Sequence, residues 1–275
     1  MTQNQFQVGP IKINLPDENQ SHFSIFHDLA ELFGEEFQSD AVKKLRSKLK
    51  DVKPKASIDY EADNTHITTS NVDTLVAVIA AIGKLVTEEF RVSFQQLDTA
   101  QITELFKAAK KNRPKPKEWQ SGDVFSIPLL NGTFAFGQVL DKKYCTCALF
   151  NLQSDNSTLT EEQFNTLKPI SILHLSNGDL LNNGHWNILY NQPVTLNPNS
   201  GSGGRFGDIG SSSYGQCGAM TDLANAYWGL EPWNVMYLED YYDQLLLKGL
   251  TRPNTAHVLN EADRKTFRKE KFGLD

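Results

Sequence analysis

Two histidines and a cysteine carry the side chains best suited to bond-breaking chemistry in this sequence of 275 residues: His174, His185 and Cys217. His174 lies in ISILHLS (170–176) and His185 opens HWNILYN (185–191), two stretches that read as neighbouring strands, so the imidazoles could approach as a general base and its partner. Cys217, in YGQCGAM (214–220), stands where a helix is expected to begin, and a helix N-terminus lowers the pKa of a thiol. A hydrolytic site would be built from these three. The local signatures of such an enzyme are absent: the chain has no HxH, HExxH or CxxC for a metal and no GxSxG for a serine nucleophile. The glycine run GSGGRFG (201–207) lacks both the GxGxxG spacing and a following Gly-Lys-Ser/Thr, and reads as a surface loop in which Arg205 could touch a partner. Hydrogen-bonded strand histidines and a buried thiol are the simpler account, and neither metal nor cofactor is expected.

A second constellation suits binding. Between Arg205 and Lys248 there is no basic residue, yet Asp208, Asp222, Glu231, Glu239, Asp240 and Asp243 lie there, interleaved with Tyr227, Trp233, Tyr237, Tyr241 and Tyr242. The chain carries a net charge of −6, and residues 119–250, with 5 basic and 12 acidic groups, hold the excess. Such a field repels nucleic acid and steers a basic protein partner, while aromatic side chains supply rigid contact area. The expected contact residues are Asp208, Asp222, Trp233, Glu239, Asp240 and Asp243. The aromatics have a competing use, packing helices onto a sheet.

The elements that must hold these residues fall into two regions. Residues 1–114 mix short strands with helices: a strand over 11–16, a helix over 22–37 with Phe23, Phe26, Leu29, Ala30 and Phe33 on one face, a helix over 39–52 capped by Ser39 or Asp40, strands in ASIDYEA and THITTS, and helices over 71–86 and 99–111. This predicts an α/β sandwich domain. The alternating prolines of NRPKPKEW favour extended backbone and mark a boundary near residue 115. Residues 115–275 are β-rich, predicting a barrel-like antiparallel sheet followed by two C-terminal helices, near 216–228 and 239–249, and a polar tail. The fold class is therefore α+β. The longest apolar run, LVAVIAAIG (75–83), is too short to cross a bilayer, and the N-terminus has no basic patch followed by an apolar run. A cytoplasmic protein without membrane contact is expected.

Within the second region, GDVFSIPLLNGTFAFGQVL (122–140) reads as a hairpin. A two-residue turn at Asn131-Gly132 would pair Leu129 with Phe134, Ile127 with Phe136 and Phe125 with Gln138, placing all five apolar residues on one face. Pro128 cannot donate to a ladder and belongs at an edge or bulge.

KEWQSGDVFSIPLLNGTFAFGQVL, the CALF strand and AYWGLEPWNVMYLEDYYDQLLLKGLTRP together resemble the immunity protein 26 family of bacterial polymorphic toxin systems, over about residues 117–253. The family's motifs match at Gly122, Asp123, Ile127, Pro128, Gly132, Phe136 and Gly137, and at Gly229, Leu230, Pro232 and Trp233. The resemblance implies a cytoplasmic protein that binds a cognate toxin and neutralises it without catalysis. Some relatives carry a phosphotriesterase-like label, which together with His174, His185 and Cys217 motivates the alternative of an esterase or phosphotriesterase-like hydrolase. A further alternative is an interaction module acting through the N-terminal domain, which the resemblance does not cover.

Overall fold

Alternation of buried and exposed side chains organises the first sheet: Ile11 and Ile13 are buried with Lys12 exposed between them, and Ile67 is buried beside exposed His66. This is the pattern of a sheet with one covered face. The computed structural model describes residues 4–95, 98–200, 214–215 and 218–273, and the chain divides into two compact units, Met1–Pro116 and Lys117–Asp275.

In the first unit, strands β1 (Gln5–Val8), β2 (Ile11–Asn14), β3 (Phe23–His27), β4 (Ser57–Tyr60) and β5 (Thr65–Thr69) form an antiparallel sheet in the order β1-β2-β3-β5-β4. Helices α1 (Leu29–Phe33), α2 (Gln38–Lys48), α3 (Val72–Leu85), α4 (Glu88–Gln95) and α5 (Thr99–Lys111) share its core, with Leu45, Val78, Ile82 and Phe106 fully buried. The helix expected over 22–37 is a strand followed by a five-residue helix. Phe23 and Ile25 alternate inward, and pairing with β2 and β5 outweighs the helical spacing of the same apolar residues. Asp28 then caps α1 by accepting from the Glu31 amide at 2.8 Å. Helix α2 starts at Gln38 rather than after a Ser39 or Asp40 cap; buried Gln38 bonds to the Asp28 carboxylate and accepts from Thr65, so a tertiary network fixes this end.

The second unit contains β6 (Asp123–Pro128), β7 (Phe134–Asp141), β8 (Thr146–Ser154), β9 (Pro169–Leu175), β10 (Asn187–Asn191) and β11 (Tyr214–Gly215), in the order β10-β6-β7-β8-β9-β11. All neighbours are antiparallel except β11, which runs parallel to β9. The sheet ends at β10 and β11 and does not close, so it is an open sheet rather than a barrel. Its helices are α6 (Glu161–Phe164), α7 (Asp179–Asn182), α8 (Ala219–Tyr227), α9 (Tyr241–Leu245) and α10 (Glu261–Phe272). Helix α10 is additional to the two expected C-terminal helices and occupies the tail.

The hairpin differs from expectation by one residue, with large consequences. Leu129 donates to the Thr133 carbonyl at 2.8 Å and Gly132 to Leu129 at 3.0 Å, enclosing a three-residue loop with Gly132 at φ +83°. The pairs are therefore Pro128 with Phe134, Ile127 with Ala135 and Phe125 with Gly137. A one-residue shift reverses the face of every side chain on one strand. Phe125 and Ile127 join Ala135 and Val139 under α8 and α9, whereas Phe136 and Leu140 join Val124, Phe150 and Phe164 on the opposite face. Both faces of the hairpin are thus core. The loop is held by the buried Asn225 side chain of α8, which accepts from the Leu130 amide at 3.1 Å. Pro128 ends β6, beyond the Asp123–Ser126 stretch that pairs with β10.

Gly137 has no side chain because its site is filled: a Cβ there would lie 2.5 Å from the Phe125 ring and 2.8 Å from the Ala148 carbonyl oxygen. Asp123, the one ionisable residue of the hairpin, is 6% exposed and accepts from the Gln120 amide at 2.7 Å and from Asn191 at 2.8 Å. It ties the start of β6 to the end of β10, a structural task that consumes its acceptors.

Candidate functional site

The residues nominated for hydrolysis do not assemble among the described residues. His174 sits on β9 and its Nδ1 lies 2.6 Å from the hydroxyl of fully buried Thr146, its cross-strand partner on β8. His185 is exposed, in the turn before β10. Strands β9 and β10 are not neighbours; β6, β7 and β8 lie between them. Their supposed adjacency came from chain order, which an antiparallel sheet with β10 returning to the far edge does not preserve. Cys217 lies outside the described residues, as do Asp208 and Arg205. The described thiols, Cys145 and Cys147, are free and buried. Cys145 donates to the Asn177 carbonyl, and contact with Cys145 together with burial pushes the Cys147 thiol well up, away from a reactive thiolate. Among the described residues no group of three or more His, Cys, Asp or Glu side chains is placed to hold a metal ion.

The acidic and aromatic residues of 218–248 do come together, on α8, α9 and the segment joining them. They divide into a buried set and an exposed set. Trp233 is 0% exposed, so it cannot touch a partner in this conformation; its ring packs edge-on to Tyr242 at 5.6 Å and lies under the Arg252 guanidinium at 5.6 Å. In this conformation the ring serves the competing use, packing within the core, where an indole of this area is more stable than exposed to water. Tyr242 is likewise buried, which pushes its hydroxyl pKa up. By contrast, Tyr237 is 54% and Leu238 40% exposed, followed by exposed Glu239 and Asp240. Leu238 was missed from sequence, since an isolated leucine between a tyrosine and two acids gives no sign of which way it faces.

The acidic field is also smaller than composition implies. Asp243 is gripped by Arg252, whose Nε donates at 3.3 Å alongside a second bond from Nη2. Glu239 faces Arg264 at 3.6 Å, and Lys271 pairs with Glu231, which is 8% exposed. The basic tail, residues 252–271, thus supplies counter-charges that the preceding segment lacks. Asp240 remains exposed, with no ion pair or side-chain cap bond among the described residues.

Asp222, half-buried on α8, has its pKa raised by burial and by the charge of Glu231, with Lys271 opposing. A carboxyl group whose folded-state pKa is raised holds its proton more tightly in the folded chain. Its ionisation therefore lowers stability as pH rises through the folded pKa, and this loss is absent below the ordinary value of 3.8. Asp222→Asn is expected to raise the melting temperature at pH 7 relative to the parent chain, with the gain shrinking toward pH 3.8. Melting curves of both chains across that range check the sign.

The fold and these side chains define an α+β protein whose C-terminal unit is an open sheet, covered on both faces, with an acidic and aromatic outer turn. Residues 120–206 of that unit match the family model of immunity protein 26. The matched span runs through β6, β7, β8, β9 and β10 and stops before α8. It supports a role in toxin immunity at the level of the family. No curated protein and no solved structure matches the chain. Within the matched span, the residues that carried the resemblance have structural tasks: Asp123 as a tie, Gly132 in the loop, Gly137 under a ring.

Proposed function

We propose that the chain is an immunity protein that binds a cognate toxin in the bacterial cytoplasm and neutralises it without catalysis. The family match over 120–206 is the observation that carries this reading. The contact surface is the turn Tyr237-Leu238-Glu239-Asp240, where exposed apolar area adjoins exposed carboxylates. The partner is a protein with a basic surface, and the acidic turn mainly accelerates encounter.

Co-expression with a toxin encoded beside the gene is expected to restore growth of cells that the toxin alone arrests. Asp240→Lys is expected to slow association several-fold at low ionic strength, with the difference closing as salt is raised. Growth arrest despite soluble, folded protein would remove the immunity reading. Unchanged association kinetics of Asp240→Lys would remove the acidic turn from it.

The hydrolase reading rests on the family label and on His174, His185 and Cys217; of the two described residues, His174 lies on β9 and His185 in the turn before β10, with β6, β7 and β8 between those strands. Chelator-sensitive turnover of a chromogenic ester by the purified protein would reinstate it.

A further inference from the structure

Helix α10 is attached to its unit chiefly through charged side chains. None of its residues is buried, and no backbone hydrogen bond joins it to another element among the described residues. The preceding segment is knitted in firmly: Trp233 donates to the His257 carbonyl at 2.8 Å, and Asn234 exchanges two bonds with the Leu259 backbone at 2.8 and 2.9 Å. Beyond Asn260 the attachments change to charged side chains. Arg264 reaches the carbonyls of Asn234 and Met236 and the carboxylate of Glu239, and Lys271 reaches Glu231.

The surface beneath α10 retains capacity for more. Glu231 is 8% exposed and its Oε2 accepts from nothing among the described residues. Buried polar groups left unpaired are expensive, and a ligand that supplies the missing donor gains that energy on binding. The charge of this region is negative, through Asp222, Glu231 and Glu239; Arg264 and Lys271 of α10 pair with it, and Arg268 of the same helix has its Nε enclosed without a hydrogen-bond partner among the described residues.

We propose that α10 is an internal stand-in for the toxin: it occupies an acidic docking surface, formed by Glu231, the Asn234–Tyr237 carbonyls and Glu239, that accepts a basic helical segment of the partner once α10 has swung away about Leu259-Asn260. This rests on the immunity reading above and adds the chemistry of the segment recognised. Held in the same chain, α10 acts at an effective concentration of about a millimolar, so only a partner helix with stronger or more numerous cationic contacts displaces it. The partner is thereby selected for basic charge density.

The probe is a fluorescein-labelled peptide of residues 260–273, NEADRKTFRKEKFG, titrated by polarisation into the full-length chain and into full-length Arg264→Ala/Lys271→Ala. The variant, with its own helix loosened, is expected to bind the peptide at least tenfold tighter than the parent chain, and to release it as salt is raised. Equal binding by the two chains, or none by a variant whose fluorescence and circular dichroism show a folded C-terminal unit, overturns the proposal. If the variant does not fold, hydrogen exchange of the parent chain decides: amides of 261–272 should exchange faster as salt is raised while those of 255–259 do not change, and a joint response of both segments overturns the hinge. A parent-chain dimer that the peptide dissociates would make a second copy the occupant and overturn the toxin assignment. Growth protection is scored separately, so peptide capture without protection counts against the immunity reading and leaves the surface in place.

Discussion

Trp186→Ala is expected to cost the C-terminal unit about 3–5 kcal/mol. Trp186 is 1% exposed and stacks on Phe125 with ring centroids 4.9 Å apart and planes 3° from parallel. Phe125 in turn lies across Gly137, so removing the indole takes away the stacking partner of a ring packed between the two. The Trp186 N–H also donates to Thr221 on α8 at 3.1 Å, coupling the sheet to the helix above it. Trp186→Phe keeps a stacking ring and loses the hydrogen bond, and should cost nearer 1–2 kcal/mol. Denaturant titration followed by tryptophan fluorescence measures this cleanly, because all four tryptophans, 119, 186, 228 and 233, belong to the C-terminal unit. Equal losses for the alanine and phenylalanine variants would show that the stack contributes nothing.

The second large effect separates a core role for Trp233 from a contact role. Trp233→Ala should destabilise by about 3–5 kcal/mol, because it opens a cavity against Tyr242 and strips the apolar support from the Arg252–Asp243 pair. Trp233→Phe should be tolerated within about 1.5 kcal/mol, since the ring is retained and the unpartnered N–H disappears. Any loss of growth protection in the alanine variant should then follow its loss of folded protein and recover at lower temperature. A contact residue behaves otherwise: protection would fall in both variants with the melting temperature unchanged. That second pattern would place Trp233 in the interface and imply that the turn opens on binding.

These expectations show how differently the two halves of the problem could be read from sequence. Helix α5 was legible to the residue and α3 to within one residue at each end, because their apolar residues repeat at helical spacing; the structure adds that Asp98 and Asn71 cap them. The segment 22–37 was not, since Phe23, Ile25 and Phe26 satisfy a strand period and a helix period at once, and only the presence of β2 and β5 alongside decides. The hairpin was recognisable, but its register was not. In the structure Asn131-Gly132 belongs to a three-residue loop that Asn225, 95 positions away, braces by accepting from Leu130.

The same division applies to the candidate site. Residue types alone fixed the chain's acidic middle, its aromatic richness near 214–242 and its likeness to an immunity family, because charge, side-chain area and turn-forming glycines are properties of local sequence. Exposure and pairing are properties of three-dimensional neighbours, and here the tertiary structure reversed the local reading. It buried Trp233, separated His174 from His185 by three strands, and folded a basic tail back onto the acids that precede it. Each reversal has one physical reason: burial and ion pairing are settled by which remote segment arrives beside a residue, and nothing in a residue's own stretch of chain specifies that arrival.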